Sequence, residues 1–188
     1  DPAPPWRKHD PGGILVGSGK QLRFHGPRRF GCVLVVDEPD KHPLLTGVGP
    51  EPLEDAFTAD HLFAQSRSKT CAVKVFIMDS KVVVGVGNIY ACEALFLAGI
   101  RPTRAAGKVT RAEYVKLVQA IKRVLGASIE AGGTTLRDFL NEKGEPGYFA
   151  QSLRVYDREG QPCRRCDGTV RRIVLGQRST YFCPKCQK

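Results

Sequence analysis

A chain of 188 residues, 41% of them hydrophobic, is long enough for one or two compact domains, and no apolar run approaches the roughly 20 residues of a membrane helix. Its 29 Lys and Arg against 19 Asp and Glu leave a net charge of +10, which favours a polyanionic partner, nucleic acid first, over an acidic or membrane-embedded role.

Residues 1–13 carry Pro2, Pro4, Pro5, Pro11, Gly12 and Gly13, a loop composition. Alternating runs at 14–16 and 21–24, with Gly17 to Lys20 as a turn, predict two strands, and 30–36 predicts a third. Three short strands make a poor free-standing sheet, so they read as the tail of a larger β domain. The turn Pro27-Arg28-Arg29-Phe30-Gly31 places an aromatic and a guanidinium at one loop tip. Phe30 can replace a stacked base and Arg28 can bond an exposed base edge, although a core Phe with two surface arginines reads equally simply.

The segment TGVGPEPL at 46–53 is a Gly/Pro linker, after which the apolar period lengthens from two to about 3.6. A short helix is expected at 58–65 with Thr58 as N-cap, and an apolar stretch at 73–78 precedes VVVGVG. Asn88 then sits immediately before a helix through IYACEALFLA, at its N-cap position, with Ile89, Cys92, Leu95 and Phe96 on one face and Gly99 at the C-cap position. The longest helix, 111 to about 130, starts at a Thr110/Glu113 capping box and stops at Gly132 and Gly133. Its stripe of Tyr114, Leu117, Val118, Ile121, Val124 and Leu125 is core and carries no chemistry. A helical turn at 135–140 and a flexible loop, NEKGEPG, at 141–147 follow.

Chemistry concentrates at three places. Gly85 and Gly87 precede a helix start whose free amides suit a phosphate, and both glycines would admit close approach and positive φ; a plain cap with two turn glycines is the simpler alternative. From Arg154 onward, nine Lys or Arg face three acids, and seven of the nine are Arg, the residue of bidentate phosphate contacts. Cys163, Cys166, Cys183 and Cys186 form two CxxC pairs sixteen residues apart, the spacing of a structural zinc site, and a hairpin between them would present Arg178 at its tip. Two disulfides or two redox pairs are the competing readings. Cys32, Cys71 and Cys92 remain as an odd number with no signal peptide in view, which points to a reducing, cytoplasmic compartment.

VVVGVGNIYACEALFLAGIRP, GGTTLRDFL, GYFAQSLRVYDREGQPCRRC and GQRSTYFCPKCQK, preceded by PRRFG and GPEPL, resemble bacterial formamidopyrimidine-DNA glycosylase across nearly the whole chain from about Leu22. The resemblance implies an α+β fold. Residues 1–50 would be the end of a β-sandwich catalytic domain, 51–150 a helix-two-turn-helix DNA-binding domain, and 151–188 a four-cysteine zinc finger of β-hairpin form. It implies base-excision repair of oxidised purines such as 8-oxoguanine and formamidopyrimidines, with AP lyase activity, one structural Zn2+ and double-stranded DNA carrying an oxidised purine or abasic site. By the same resemblance Asn88 and Arg178 grip a phosphate from opposite domains, with Gly87 beside them. Arg28 and Phe30 fill the gap left by the flipped nucleotide, and the loop 141–150, with Tyr148, closes over the extruded base. A monomer of the cytoplasm and nucleoid, away from membranes, is expected.

The family's nucleophile is an N-terminal proline followed by glutamate, whereas this sequence opens Asp1-Pro2-Ala3, so no catalytic residue is assigned and about 70 to 80 leading residues are expected to be absent. Lys69, Lys74 and Lys81 are the remaining amines to consider, and each would need a lowered pKa and a place in the cleft. Gly26 stands where the family usually has Asp before PRRFG. Two other readings compete: a non-catalytic zinc protein that binds damaged DNA, and a zinc ribbon of transcription or translation, which leaves GVGNIYA and PRRFG unexplained.

Overall fold

In a computed structural model of the chain, the described residues are 5–6, 8–26, 31–133 and 149–188. They fall into two compact units, Asp1–Thr46 and Gly47–Lys188.

Among its described residues the first unit holds one antiparallel hairpin. β1 (Gly12–Leu15) pairs with β2 (Gln21–Phe24), Gly12 opposite Phe24 and Leu15 opposite Gln21. Gly19 closes the turn at φ 78, where its amide bonds the Val16 carbonyl at 2.9 Å. The strand expected at 30–36 does not form over its described part, 31–36. A strand survives only where a neighbour takes up its backbone donors and acceptors, and no described segment pairs with this one; Val35 is 99% exposed.

The second unit is helical with a small sheet at its end. Thr58 caps α1 (Ala59–Ser66), its hydroxyl accepting from the His61 amide at 3.1 Å. Just beyond α1, Arg67 lies over the Phe63 ring and donates to the Val109 carbonyl at 2.8 Å, which ties the helix to the approach of the longest one. α2 (Val73–Ile77) is a short turn of helix, and α3 (Asn88–Ala98) follows after two tight turns.

Gly87, not Asn88, is the N-cap of α3, so Asn88 is the first helical residue and its side chain is released for other contacts. At the far end Gly99 takes φ 73, its amide bonding Phe96 and that of Ile100 bonding Leu95 at 3.0 Å, a Schellman closure. Residues 91–96 are buried without interruption, in place of the single buried face the sequence suggested. α3 has α4 (Arg111–Glu130) against one side and β4 (Arg178–Phe182) against another, so it needs apolar groups nearly all round.

α4 forms as its sequence dictates. Thr110 accepts from the Glu113 amide, Glu113 accepts from the Thr110 amide, and all six residues of the apolar stripe are buried. Leu62, Ile77, Leu95, Tyr114, Leu117 and Ile121 are among the side chains closing one core, each contributing about 1.5–3 kcal/mol of burial. β3 (Arg171–Leu175) and β4 pair antiparallel through a two-residue turn, Gly176-Gln177, both at positive φ as a type I′ hairpin requires. Among the described residues no helix is long and apolar enough to cross a membrane. The expected helical turn at 135–140 and loop at 141–147 lie outside the described residues, as do Arg28, Phe30 and Tyr148.

Candidate functional site

Three backbone devices meet at one place on the second unit: the start of α3, the middle of α2 and the tip of the β3–β4 hairpin. The first intrahelical bond of α3 runs from the Ala91 amide to the Gly87 carbonyl at 2.9 Å, so the amides of Asn88 and Ile89 have no acceptor within the helix. Gly87 is exposed, and a Cβ there would meet nothing within 4 Å, which leaves the space in front of those amides open. Of the two glycines that would admit positive φ, Gly85 uses it, at 73, whereas Gly87 is extended at −80.

Asn88 uses its side-chain amide as a bridge. Its Oδ1 accepts from the Lys74 ammonium, and its Nδ2 donates to the Ser179 carbonyl at 2.9 Å and lies 3.5 Å from the Tyr156 hydroxyl. The bond to Ser179 sets the start of α3 beside exposed Arg178, the residue before it on β4. Asn88 and Arg178 thus belong to one compact unit. The hairpin tip is seated on α2, where a Cβ at Gly176 would stand 3.3 Å from Val75.

Lys74 and Glu93 are site-forming residues that sequence reading did not single out for these roles. Burial pushes the Lys74 pKa down and neighbouring Arg178 pushes it further, against a partial opposing pull from Cys92. Glu93, 1% exposed, accepts from the amides of Arg154, Val155 and Tyr156 at 2.8–3.0 Å. A buried carboxylate satisfied by three backbone donors fixes the entry to the cysteine module against α3 and holds Tyr156 edge-on to Tyr181 at 5.0 Å. The only hint in the sequence was an acid in the middle of NIYACEALFLA.

The four cysteines converge. Their sulfurs lie within 4.8 Å of one another, with Cys163–Cys186 at 3.8, Cys166–Cys183 at 3.6 and Cys166–Cys186 at 3.4 Å. Four sulfurs about 2.3 Å from a tetrahedral zinc stand about 3.8 Å apart, so the set fits that ion and is far too wide for disulfide bonds. Burial and the three neighbouring thiols push the Cys186 pKa up, and a bound cation is what ionises such a cluster. Amides of Arg165 and Gly168 point at Cys163 and Cys166 sulfurs at 3.4 and 3.3 Å, ready to stabilise thiolates. The site holds one structural zinc, a tetrahedral crosslink closed to catalysis. Of the other cysteines, Cys92 is buried and Cys32 and Cys71 are exposed.

What the arrangement can do is bind an oxyanion: helix amides and the exposed Arg178 guanidinium face one open patch, with the buried Lys74 amine behind them on Asn88. A cavity of about 720 Å³ lies in the first unit, where Ile14, Leu22, Phe24 and Val33 give it an apolar lining unsuited to that task.

Comparison with known proteins agrees with this geometry. Residues 48–140 match the family described as the formamidopyrimidine-DNA glycosylase H2TH domain, and residues 160–188 match the zinc finger found in FPG and IleRS. The formamidopyrimidine-DNA glycosylase of Methylococcus capsulatus is 57% identical over all of this chain and 69% of its own length. The MutM (Fpg) protein of Thermus thermophilus superposes with a TM-score of 0.85 at 39% identity, over 97% of this chain and 70% of that one. The Lactococcus lactis Fpg, solved in complex with DNA containing an abasic site, gives 0.85 at 29% identity over 98% and 68%. With this identity over more than two thirds of the relatives' length, the chain belongs to the formamidopyrimidine-DNA glycosylase family.

Proposed function

We propose that these 188 residues supply the DNA grip of a base-excision-repair glycosylase and AP lyase that removes oxidised purines, 8-oxoguanine and formamidopyrimidines. The partner is double-stranded DNA bearing such a base or an abasic site, bound by a monomer in the cytoplasm. The observation that carries the reading is the meeting of Asn88, Lys74 and Arg178 at the open start of α3.

In this reading the Arg178 guanidinium takes one phosphate while the amides at the start of α3, beside Gly87, take the same or the adjoining one. Asn88 keeps the two surfaces together through Ser179. Arg28 and Phe30 serve as the wedge and Tyr148 as part of the loop over the flipped base. The domains divide as 1–50, 51–150 and 151–188. No residue of these 188 is assigned a covalent step.

The test is equilibrium binding at fixed salt to matched duplexes that are intact, carry 8-oxoguanine opposite cytosine, or carry an abasic analogue. Tighter binding to the two damaged duplexes supports the reading, and equal affinity for all three sinks it. Arg178→Ala should weaken damaged-duplex binding by about 1–3 kcal/mol, the worth of a charge-assisted phosphate contact, and an unchanged constant would remove Arg178 from the grip.

A further inference from the structure

α3 and β4 lie side by side and are tied together at both ends. At the hairpin tip the tie is Asn88 to the Ser179 carbonyl. At the other end it is Gln187, a fully buried side chain next to a zinc-binding cysteine. Its Oε1 accepts from the Cys183 amide at 2.8 Å, and its Nε2 donates to the Ile100 carbonyl, just past α3, at 2.9 Å. Backbone bonds surround it: Gln187 amide to Cys183 carbonyl at 3.0 Å, Lys188 amide to Gly99 at 3.1 Å, and Arg101 amide to Lys188 at 3.0 Å.

The lengths match. Eleven residues of α3 rise about 16 Å, and the five steps from Arg178 to Cys183 extend about 17 Å. Two rods of equal length pinned at both ends keep one alignment, whereas a single pin lets one slide along the other. Glu93 cannot replace the lower pin, because it holds the 154–156 segment rather than the second cysteine pair. The neutral primary amide accepts from Cys183 with its oxygen and donates to Ile100 with its nitrogen. Leucine would leave both partners unpaired in the interior, and glutamate would keep the acceptor and lose the donor.

We propose that Gln187 is a positioning residue for the DNA grip: it locks the second cysteine pair to the end of α3, and so keeps Arg178 aligned with Lys74 and Asn88 some 16 Å away. The proposal rests on the reading of Arg178 as a phosphate contact. It assigns Gln187 no contact with DNA and no bond to the metal.

The test is a double-mutant cycle on the zinc-loaded chain, with zinc content checked at one per molecule and binding measured to an abasic-analogue duplex at one salt concentration. Gln187→Leu should weaken binding about tenfold and Gln187→Glu less, while either change made on top of Arg178→Ala should shift binding less than about twofold, since coupled residues are not additive. Unchanged binding with zinc retained overturns the proposal, as does the same fold-loss in both backgrounds. Loss of zinc from both variants also overturns it, by making Gln187 a support of the metal site alone. If the parent does not prefer the abasic duplex, or Arg178→Ala binds like the parent, the DNA reading has failed instead. Hydrogen exchange of the parent then decides the lock by itself: the amides of Cys183 and Arg101 should open with one common protection, and independent opening excludes it.

Discussion

Among the described residues are two β-hairpins of nearly the same size with opposite surroundings. β1–β2 has strands of four residues, and its unit leaves Leu15 78% and Val35 99% exposed. β3–β4 has strands of five residues, yet Tyr181, Phe182 and Cys183 are buried. A two-stranded ribbon is marginal in water, so strand pairing is not what separates them. The second hairpin is crosslinked by four thiolates and laid along a helix that forms part of a larger core, and the first has neither support among the described residues. What separates the two hairpins is what each leans on.

That contrast can be broken most forcefully by removing the metal. Chelation should abolish amide protection from about Arg154 onward while leaving α4 protected, and a hairpin that keeps its protection without zinc would show that packing on α3 suffices. Next in size is the shared wall itself. Leu95→Ala should destabilise the second unit by about 2–5 kcal/mol, read as a lowered urea midpoint at constant slope.

Smaller is the start of α4. Thr110→Ala should lose about 1 kcal/mol of stability. The same cap makes the unit acid-sensitive: burial alone would raise the Glu113 pKa, but Arg104 and Thr110 bonds outweigh it and hold it at about 2, below the ordinary 4.5. A carboxyl depressed by folding stabilises above its ordinary value and loses that contribution as pH falls from 4.5 towards 2. Thr110→Ala should flatten this part of the pH–stability curve, and an unaltered curve would remove Thr110 from the causes. Smallest is Leu15→Ser, expected to change stability by no more than about 0.5 kcal/mol because the side chain is already in water; a larger loss would reveal a packing role for the first hairpin.

The sequence carried what is local. Thr58, Thr110 with Glu113, Gly99 and the α4 stripe each act through neighbours within a few residues, and each sits as its spacing indicates. The cysteines were legible despite their separation because metal geometry leaves few alternatives. Two local expectations failed. Asn88 gave up the cap position to Gly87 because its amide found partners in Lys74 and Ser179, and 31–36 stayed out of strand for want of a neighbour. The contacts of Lys74, Glu93 and Gln187 were illegible for a related reason. Their partners are 14, 61–63 and 87 residues away along the chain, and nothing in a helical or strand period encodes such meetings.

The double attachment of β4 to α3 also sets an order of events in folding. Contacts between α3 and α4 join residues a few tens apart, whereas Asn88 to Ser179 spans 91 residues and Gln187 to Ile100 spans 87. Chain segments close in sequence find each other first, since the entropy of closing a loop grows with its length. The α3–α4 contacts and the cysteine cluster, whose members stand 17–23 residues apart, therefore close early, and the docking of β4 along α3 that sets Asn88 beside Arg178 closes last.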